Sequence, residues 1–364
     1  MGEVLKAIGL MSGTSLDGID AAVLETDGGA VARFSRAIAI AYDAQMRALL
    51  RAAIDAAKDY APGAPLPSVI ADAERAVTQA HADAVARLNA PEATLIGFHG
   101  QTLLHRPQEG RTWQIGDGAA LARLTGTDVV SDFRSADMRA GGQGAPLAPL
   151  YHAALVKETP QLALPIVVVN IGGVANVTYI SDSTILAFDS GPGNAPLDDW
   201  TMRHTGKPMD QGGALAKAGR VNTAVLNAML QDPFFERHPP KSLDRLDFGA
   251  GAVANLGAED GAATLTAFTA ASIVRAREHF LVPARSWIVC GGGRHNPQLM
   301  AELRECLDAP VLTAEDAGWR GDFVEAEAFA YLAVRSLKGL PLTLPTTTGV
   351  RQPVTGGRLH KASA

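Results

Sequence analysis

The feature that most constrains this chain is a pattern that occurs twice: an apolar run, a glycine turn and a second apolar run. In the first instance Val4 to Leu10 runs into Met-Ser-Gly-Thr-Ser, and another apolar run, Ile19 to Leu24, begins after Asp17-Gly18. In the second, Ile166 to Val169 is interrupted at Gly172-Gly173, Val174 to Ile180 follows, and Thr184 to Phe188 lies beyond Ser181-Asp182-Ser183. Short apolar runs punctuated by glycine read as strands joined by turns. Two such hairpins far apart in a chain of 364 residues predict two α/β lobes, because one hydrophobic core rarely serves that length.

The rest of the chain fills in the lobes. Residues 44 to 58 and 69 to 88 are rich in alanine, carry aliphatic side chains at helical spacing, and are separated by Ala61-Pro-Gly-Ala-Pro-Leu-Pro67. Thr94 to His99 reads as a strand, Gly118 to Thr125 as a helix and Asp128 to Ser131 as a strand. The first lobe is expected over residues 1–131, with residues 345–364 returning to it, and the second over 132–344. Gly141 to Pro149 is too rich in glycine and proline for a regular element and reads as an ordered loop between lobes, followed by a helix from Tyr151 to Glu158. Further helices are expected at 198–204, 262–280, 297–307 and 323–338, with a strand at Trp287 to Val289. The lobes are expected to close on substrates, so that only the water that reacts is admitted.

Composition narrows the function. Hydrophobic residues make up 47% of the chain and charged residues 19%, which suits globular cores. Thirty-eight acidic and 32 basic side chains leave a net charge of −6, so neither nucleic acid nor an anionic membrane is an expected partner. The longest apolar run, Leu162 to Val169, contains Pro165 and is far short of the roughly 20 residues a spanning helix needs. The N-terminal apolar stretch is too short for a signal-peptide core. The two cysteines, Cys290 and Cys306, form no CxxC pair, and a cytoplasmic setting is expected.

Three glycine-rich segments carry the chemistry. Gly13, Thr14, Ser15, Leu16, Asp17, Gly18, Ile19 and Asp20 form a turn in which hydroxyls neighbour carboxylates. Its glycines let backbone approach an anion, Thr14 and Ser15 offer donors, and Asp17 is suited to hold water on magnesium. The Walker pattern Gly-x4-Gly-Lys-[Ser/Thr] is absent from it. A plain hairpin turn bonded to its own backbone fits the same residues equally well. Asn170-Ile-Gly-Gly173 and Ala187-Phe-Asp-Ser-Gly-Pro-Gly-Asn194 form the second site, where Asp189 closes a strand as a candidate general base. The alternative for Asp189 is an Asx turn or a cap for the helix at 198–204, which it precedes by too much. Val289-Cys-Gly-Gly-Gly-Arg-His-Asn296 offers bare backbone on which a nucleoside could lie, or simply a tight strand-to-helix connection.

Isolated residues say less. His99 and His105 lack the i, i+4 spacing of a helical zinc pair and read as polar contacts. Arg134 follows a strand and suits either a carboxylate or phosphate ligand or a surface ion pair. Glu325 opens a helix, where its charge also favours the helix dipole. The four tryptophans are scattered, so they read as core or rim and not as a stacking platform.

The order and spacing of Gly9-Leu-Met-Ser-Gly-Thr-Ser-Leu-Asp-Gly-Ile-Asp20, Phe98-His-Gly-Gln101, Ser131-Asp-Phe-Arg134, Ala140-Gly-Gly-Gln-Gly-Ala-Pro146, Asn170-Ile-Gly-Gly173, Phe188-Asp-Ser-Gly-Pro-Gly-Asn194, Pro239-Pro-Lys-Ser242 and Cys290-Gly-Gly-Gly293 are similar to those of the anhydro-N-acetylmuramic acid kinase family, within the actin, hexokinase and Hsp70 superfamily. The resemblance runs from about Gly9 to about Gly357. It implies two actin-like, ribonuclease H-like lobes with an ATP cleft between them. It also implies that ATP and water convert 1,6-anhydro-N-acetylmuramic acid to N-acetylmuramic acid 6-phosphate and ADP, in peptidoglycan recycling.

By the same resemblance Gly13 through Asp20 bind ATP, with Mg2+ as its companion, Asp189 is the catalytic base, Arg134 and Glu325 contact the sugar, and the enzyme is a homodimer. No direct ligand of the metal is implied. Ser190 stands in place of the usual Thr, Ala195-Pro196 in place of bulky aliphatics, and residues 246–262 depart from the family pattern. An ordinary sugar kinase acting on a free hydroxyl and a non-enzymatic ATP switch are the competing readings. Activity on anhydro against reducing sugars separates the first, and sugar-dependent ADP release the second.

Overall fold

The computed structural model describes residues 2–13, 15–61, 63–245 and 247–362. In chain order the elements are β1 (Leu5–Ser12), β2 (Gly18–Thr26), β3 (Val31–Ala41), α1 (Ala44–Lys58), α2 (Ser68–Leu88), β4 (Leu95–Arg106), β5 (Arg111–Ile115), α3 (Gly118–Thr125), β6 (Asp128–Ser131), α4 (Ser135–Arg139) and α5 (Pro149–Lys157). They continue with β7 (Ile166–Ile171), β8 (Val174–Ile180), β9 (Ile185–Pro192), α6 (Ala195–Thr205), α7 (Ala214–Ala218), α8 (Thr223–Met229), α9 (Ala258–Arg275), β10 (Ser286–Cys290), α10 (Pro297–Cys306) and β11 (Val311–Thr313). The chain ends with α11 (Val324–Leu337), α12 (Pro345–Thr348) and β12 (Arg358–His360).

Two compact units result, one of residues 1–158 with 323–364, the other of residues 159–322. The division falls after Glu158 and before Phe323, whereas the sequence reading placed it at 131/132 and 344/345. Two helices account for the difference. Tyr151 of α5 donates a hydrogen bond to the buried Glu327 of α11 (2.5 Å), and both helices belong to the first unit. The Gly141 to Pro149 loop therefore lies within that unit instead of joining two.

In the first unit the sheet runs β12-β6-β4-β1-β2-β3, with β5 paired to β4. The β1–β2 and β2–β3 pairs are antiparallel, while β1–β4 and β4–β6 are parallel. Alternation sorts β1: Ile8 and Leu10 join a core with Leu50 and Ala53 of α1, Ile70 and Val77 of α2, and Leu121 of α3. Gly9 faces α11 on the other side. A Cβ there would stand 1.7 Å from the carbonyl oxygen of Ala326, and one at Gly97 of β4 would stand 2.0 Å from that of Phe329. The two glycines thus let a helix lie directly on the sheet. Local chemistry sets the helix starts, with Asp43 accepting from Met46 N at α1 and Asp117 from the amides of Ala119 and Ala120 at α3.

The second unit repeats the winding. Its sheet runs β11-β10-β7-β8-β9, again with two antiparallel pairs on one side of the first strand and two parallel pairs on the other. Val167, Val169 and Ile171 of β7 pack with Ala270 and Ile273 of α9 and with Leu299 and Leu303 of α10. Helix α9 is apolar nearly all round because a second cluster, Leu197, Trp200, Ala216 and Val253, covers its N-terminal half. Trp200, Trp287 and Trp319 are buried and Trp113 is half-buried, as the core-or-rim reading expects. Among the described residues no helix is long and apolar enough to cross a membrane.

Candidate active site

The β1–β2 turn is tied down from below. Gln101 Nε2 donates to the carbonyl of Gly13 at 3.1 Å, Leu16 N donates to the same oxygen at 3.2 Å, and Tyr42 N donates to the carbonyl of Asp17 at 2.9 Å. Ser15 Oγ donates to Asp17 Oδ1 at 2.9 Å, so hydroxyl and carboxylate are presented together. Leu16 adopts a left-handed φ of 57° with its side chain buried, which turns the chain without a glycine at that position. Gly18, Ile19 and Asp20 already belong to β2, so their side chains follow strand alternation. Thr14 lies outside the described residues.

A second set of contacts starts at Gly100, whose left-handed φ of 74° and approach to the Ile115 carbonyl leave no room for a side chain. Its carbonyl accepts from Ser12 Oγ at 3.3 Å and lies 2.8 Å from His99 Nδ1. Arg134 Nε and Nη2 lie 3.2 and 2.9 Å from His99 Nε2. A guanidinium can only donate, so His99 is neutral, donating from Nδ1 and accepting at Nε2. Burial, and then the Arg134 charge, hold its pKa well below the usual histidine range. Arg134 Nη1 donates onward to the Gly144 carbonyl at 2.7 Å. Turn, histidine and arginine are therefore one network within the first unit.

Glu325 enters through α11. It lies in the first turn of that helix, one turn before Phe329, whose ring packs on the His99 imidazole at 4.5 Å. His105 bonds Thr112 Oγ1 at 3.0 Å. The polar-contact reading of both histidines is what is observed. The His99–Arg134 partnership had no sequence signal, since 35 positions separate the two residues.

In the second unit Asp189 ends the regular part of β9, opposite Asn176 of β8, and is only 6% exposed. Its Oδ2 accepts from Leu243 N at 2.8 Å and its own amide donates to the Lys241 carbonyl at 3.0 Å. The glycine turns beside it interlock. Asn194 N donates to the Gly172 carbonyl at 2.7 Å and Gly193 N to the Gly173 carbonyl at 3.0 Å, and a Cβ at Gly193 would stand 2.2 Å from the Gly172 oxygen. Ser190 Oγ donates to the Ala175 carbonyl, so this hydroxyl holds β9 to β8.

The third segment, Gly291 to Gly293, is held by a buried arginine paired with two half-exposed carboxylates, a cluster with no signal in the sequence spacing. Arg294 meets Glu315 and Asp322 at 2.8 Å each with its side chain only 2% exposed, and it also donates to the Gly291 carbonyl. These charges raise the arginine's pKa further despite its burial, and the hydrogen bond from Arg294 brings Asp322 down to about 2. Glycine is required at 293, where a Cβ would lie 2.3 Å from Ile171 Cγ2.

Among the described residues no three His, Cys, Asp or Glu side chains converge as a protein-held metal would require. The two sheets share a five-strand order, with a glycine turn after the first strand of each, and the third strand of the second unit carries the buried carboxylate of Asp189.

The family model for anhydro-N-acetylmuramic acid kinase matches residues 5–362. The chain is 54% identical to anhydro-N-acetylmuramic acid kinase of Acidiphilium cryptum over 359 residues, covering 98% of each chain. It is 52% identical to that of Rhodospirillum rubrum over 362 residues, covering 98% of this chain and 94% of the relative. Among solved structures, the activator of 2-hydroxyisocaproyl-CoA dehydratase from Clostridium difficile with bound ADPNP is similar at a TM-score of 0.44 and 10% identity, over 92% of this chain and 96% of that one. The chain belongs to the anhydro-N-acetylmuramic acid kinase family.

Proposed function

We propose that this phosphotransferase uses ATP and one water to open 1,6-anhydro-N-acetylmuramic acid and phosphorylate its O6, giving N-acetylmuramic acid 6-phosphate and ADP for peptidoglycan recycling. Asp189 carries the reading, as a buried carboxylate that is oriented by a backbone amide and sits in a family motif. Acting as base, it takes a proton from water as the oxygen attacks C1. The C1–O6 bond breaks, and O6 takes the γ-phosphoryl group of ATP. One deprotonation thus starts both bond changes.

The roles of the other residues follow from their chemistry. Residues 13 to 20 present amides and hydroxyls to the phosphates; magnesium carried with the nucleotide would be held near Asp17 and would supply charge neutralisation there. Arg134, fixed on neutral His99, is suited to the carboxylate of the sugar, and Glu325 to its hydroxyls. Gly291 to Gly293 supply the bare backbone that an adenosine requires. A cytoplasmic homodimer completes the proposal, and the test of the dimer is sedimentation of the purified chain.

The decisive experiment on the chemistry is mass spectrometry of products formed from ATP and the anhydro sugar in oxygen-18 water. The label is expected on C1 of the sugar, with the phosphate unlabelled. Label in the phosphate, or no phosphorylated sugar, overturns the proposal.

A further inference from the structure

The Pro239-Pro-Lys-Ser242 motif has no role in the chemistry above, yet its backbone is in contact with Asp189. The Lys241 carbonyl accepts from Asp189 N at 3.0 Å, and two residues on Leu243 N donates to Asp189 Oδ2 at 2.8 Å. This short segment therefore grips the aspartate by both main chain and carboxylate.

What holds the segment is the lysine side chain. Lys241 is only 7% exposed and its Nζ donates to the carbonyls of Phe234 (3.2 Å) and Phe235 (3.4 Å). The ammonium also lies 4.6 Å from the centre of the Phe234 ring and 5.7 Å from that of Phe188, the residue before Asp189. Phe234 and Phe235 are anchored in turn with Phe268 of α9. A buried ammonium is costly unless its donors are met, and here two carbonyls and two ring faces meet them. We infer that Lys241 is a positioning residue for Asp189, seating residues 241–243 so that the Leu243 amide fixes the plane of the carboxylate.

Arg237, Arg275, Glu278 and His279 surround the ammonium and contribute to its field. Burial first, and then Arg275, bring the Lys241 pKa down to about 8. The amide that reaches Asp189 stabilises its ionised form, so misplacing the segment raises the carboxyl pKa as well as disturbing its aim. These two effects give two readouts.

The inference rests on Asp189 as the base, and the test separates the two claims. In Lys241→Met the stem is kept and the ammonium removed. ATP affinity by calorimetry and KM for the anhydro sugar are expected to stay within about twofold, while kcat falls roughly 10²-fold, the cost of a misplacement near 1 Å. The acid limb of the kcat–pH profile is expected to move to higher pH. If Lys241→Met does not fold, Lys241→Gln, which keeps two N–H donors, is read in the same way, with a smaller loss expected. A folded variant of either kind with the wild-type kcat and an unmoved acid limb overturns the positioning role. An acid limb that persists in Asp189→Asn shows instead that Asp189 is not the titrating base, which overturns the reading beneath it.

Discussion

Gly13 is a glycine for a reason other than its own backbone angle, because its φ lies outside the left-handed region and the strained residue of the turn is Leu16. A Cβ at Gly13 would come no nearer than 3.4 Å to Ser15 Oγ. Gly13→Val is therefore expected to melt within about 2 °C of wild type, as open surface substitutions do, while ATP affinity falls by about tenfold or more. Calorimetry decides, and an unchanged affinity in the folded variant removes this turn from the phosphate site. At Asp189 the change to Asn keeps the shape and removes the basic oxygen. Substrate binding is expected to survive, with turnover lowered about 10²- to 10⁴-fold in single-turnover assays. Near-normal turnover would assign the base elsewhere. The aspartate itself was legible in the sequence because it ends an apolar run before a glycine turn. Its partner Leu243, 54 positions away, was not, because a tertiary hydrogen bond leaves no trace in spacing.

At the scale of elements, strands buried on both faces announce themselves and edge strands do not. All six residues of β7 are buried, and its apolar run stood out. Strand β3 is half exposed and its first half is broken by Arg33, Ser35 and Arg36, while β5 has only Ile115 buried, so neither stands out as a buried strand in the sequence. The helices at 44–58 and 118–125 were placed correctly, helped by their aspartate caps. The reading started α6 at Asp198 where it begins at Ala195, since Pro196 belongs to the first turn and signals a start, not a break. The contact of α11 with the sheet was invisible from sequence, because a glycine in a strand shows only that something comes close. Gly97→Ala tests it. With backbone 2.0 Å from the new Cβ, a loss of about 3 kcal/mol is expected in urea denaturation. Gly249→Ala, where nothing lies within 4 Å, is the neutral control. Equal midpoints for the two variants would mean that α11 does not rest on β4.

For the molecule as a whole, the two units are expected to respond differently to acid. The first unit encloses four neutral histidines, His81, His99 and His152 buried and His105 half-buried. Burial holds His81 at about 4 and His105 and His152 at about 3, and burial with the Arg134 charge holds His99 well below its ordinary value. Unfolded, each takes up a proton as pH falls below about 6.5, while the folded form refuses it until far lower. Stability of the first unit is therefore full above pH 6.5 and falls below it, by up to about 1.4 kcal/mol per pH unit for each histidine, until the folded values are reached. In the second unit burial lowers one histidine, His279, among the described residues, so the same loss below pH 6.5 is smaller there, and the low pKa of Asp322 supports stability above its ordinary value of 3.8 that is lost as pH falls from there toward about 2. Hydrogen exchange at pH 5 against pH 7, corrected for intrinsic rates, is expected to show larger protection losses in α2 and β4 than in β7 and β8, and equal losses would refute the account. The discontinuous first unit has a further consequence during synthesis. Its first 158 residues leave the ribosome long before α11, so Gly9 and Gly97 wait on a bare sheet face while the whole of residues 159–322 is made, and the enzyme cannot finish its first half until its last residues emerge.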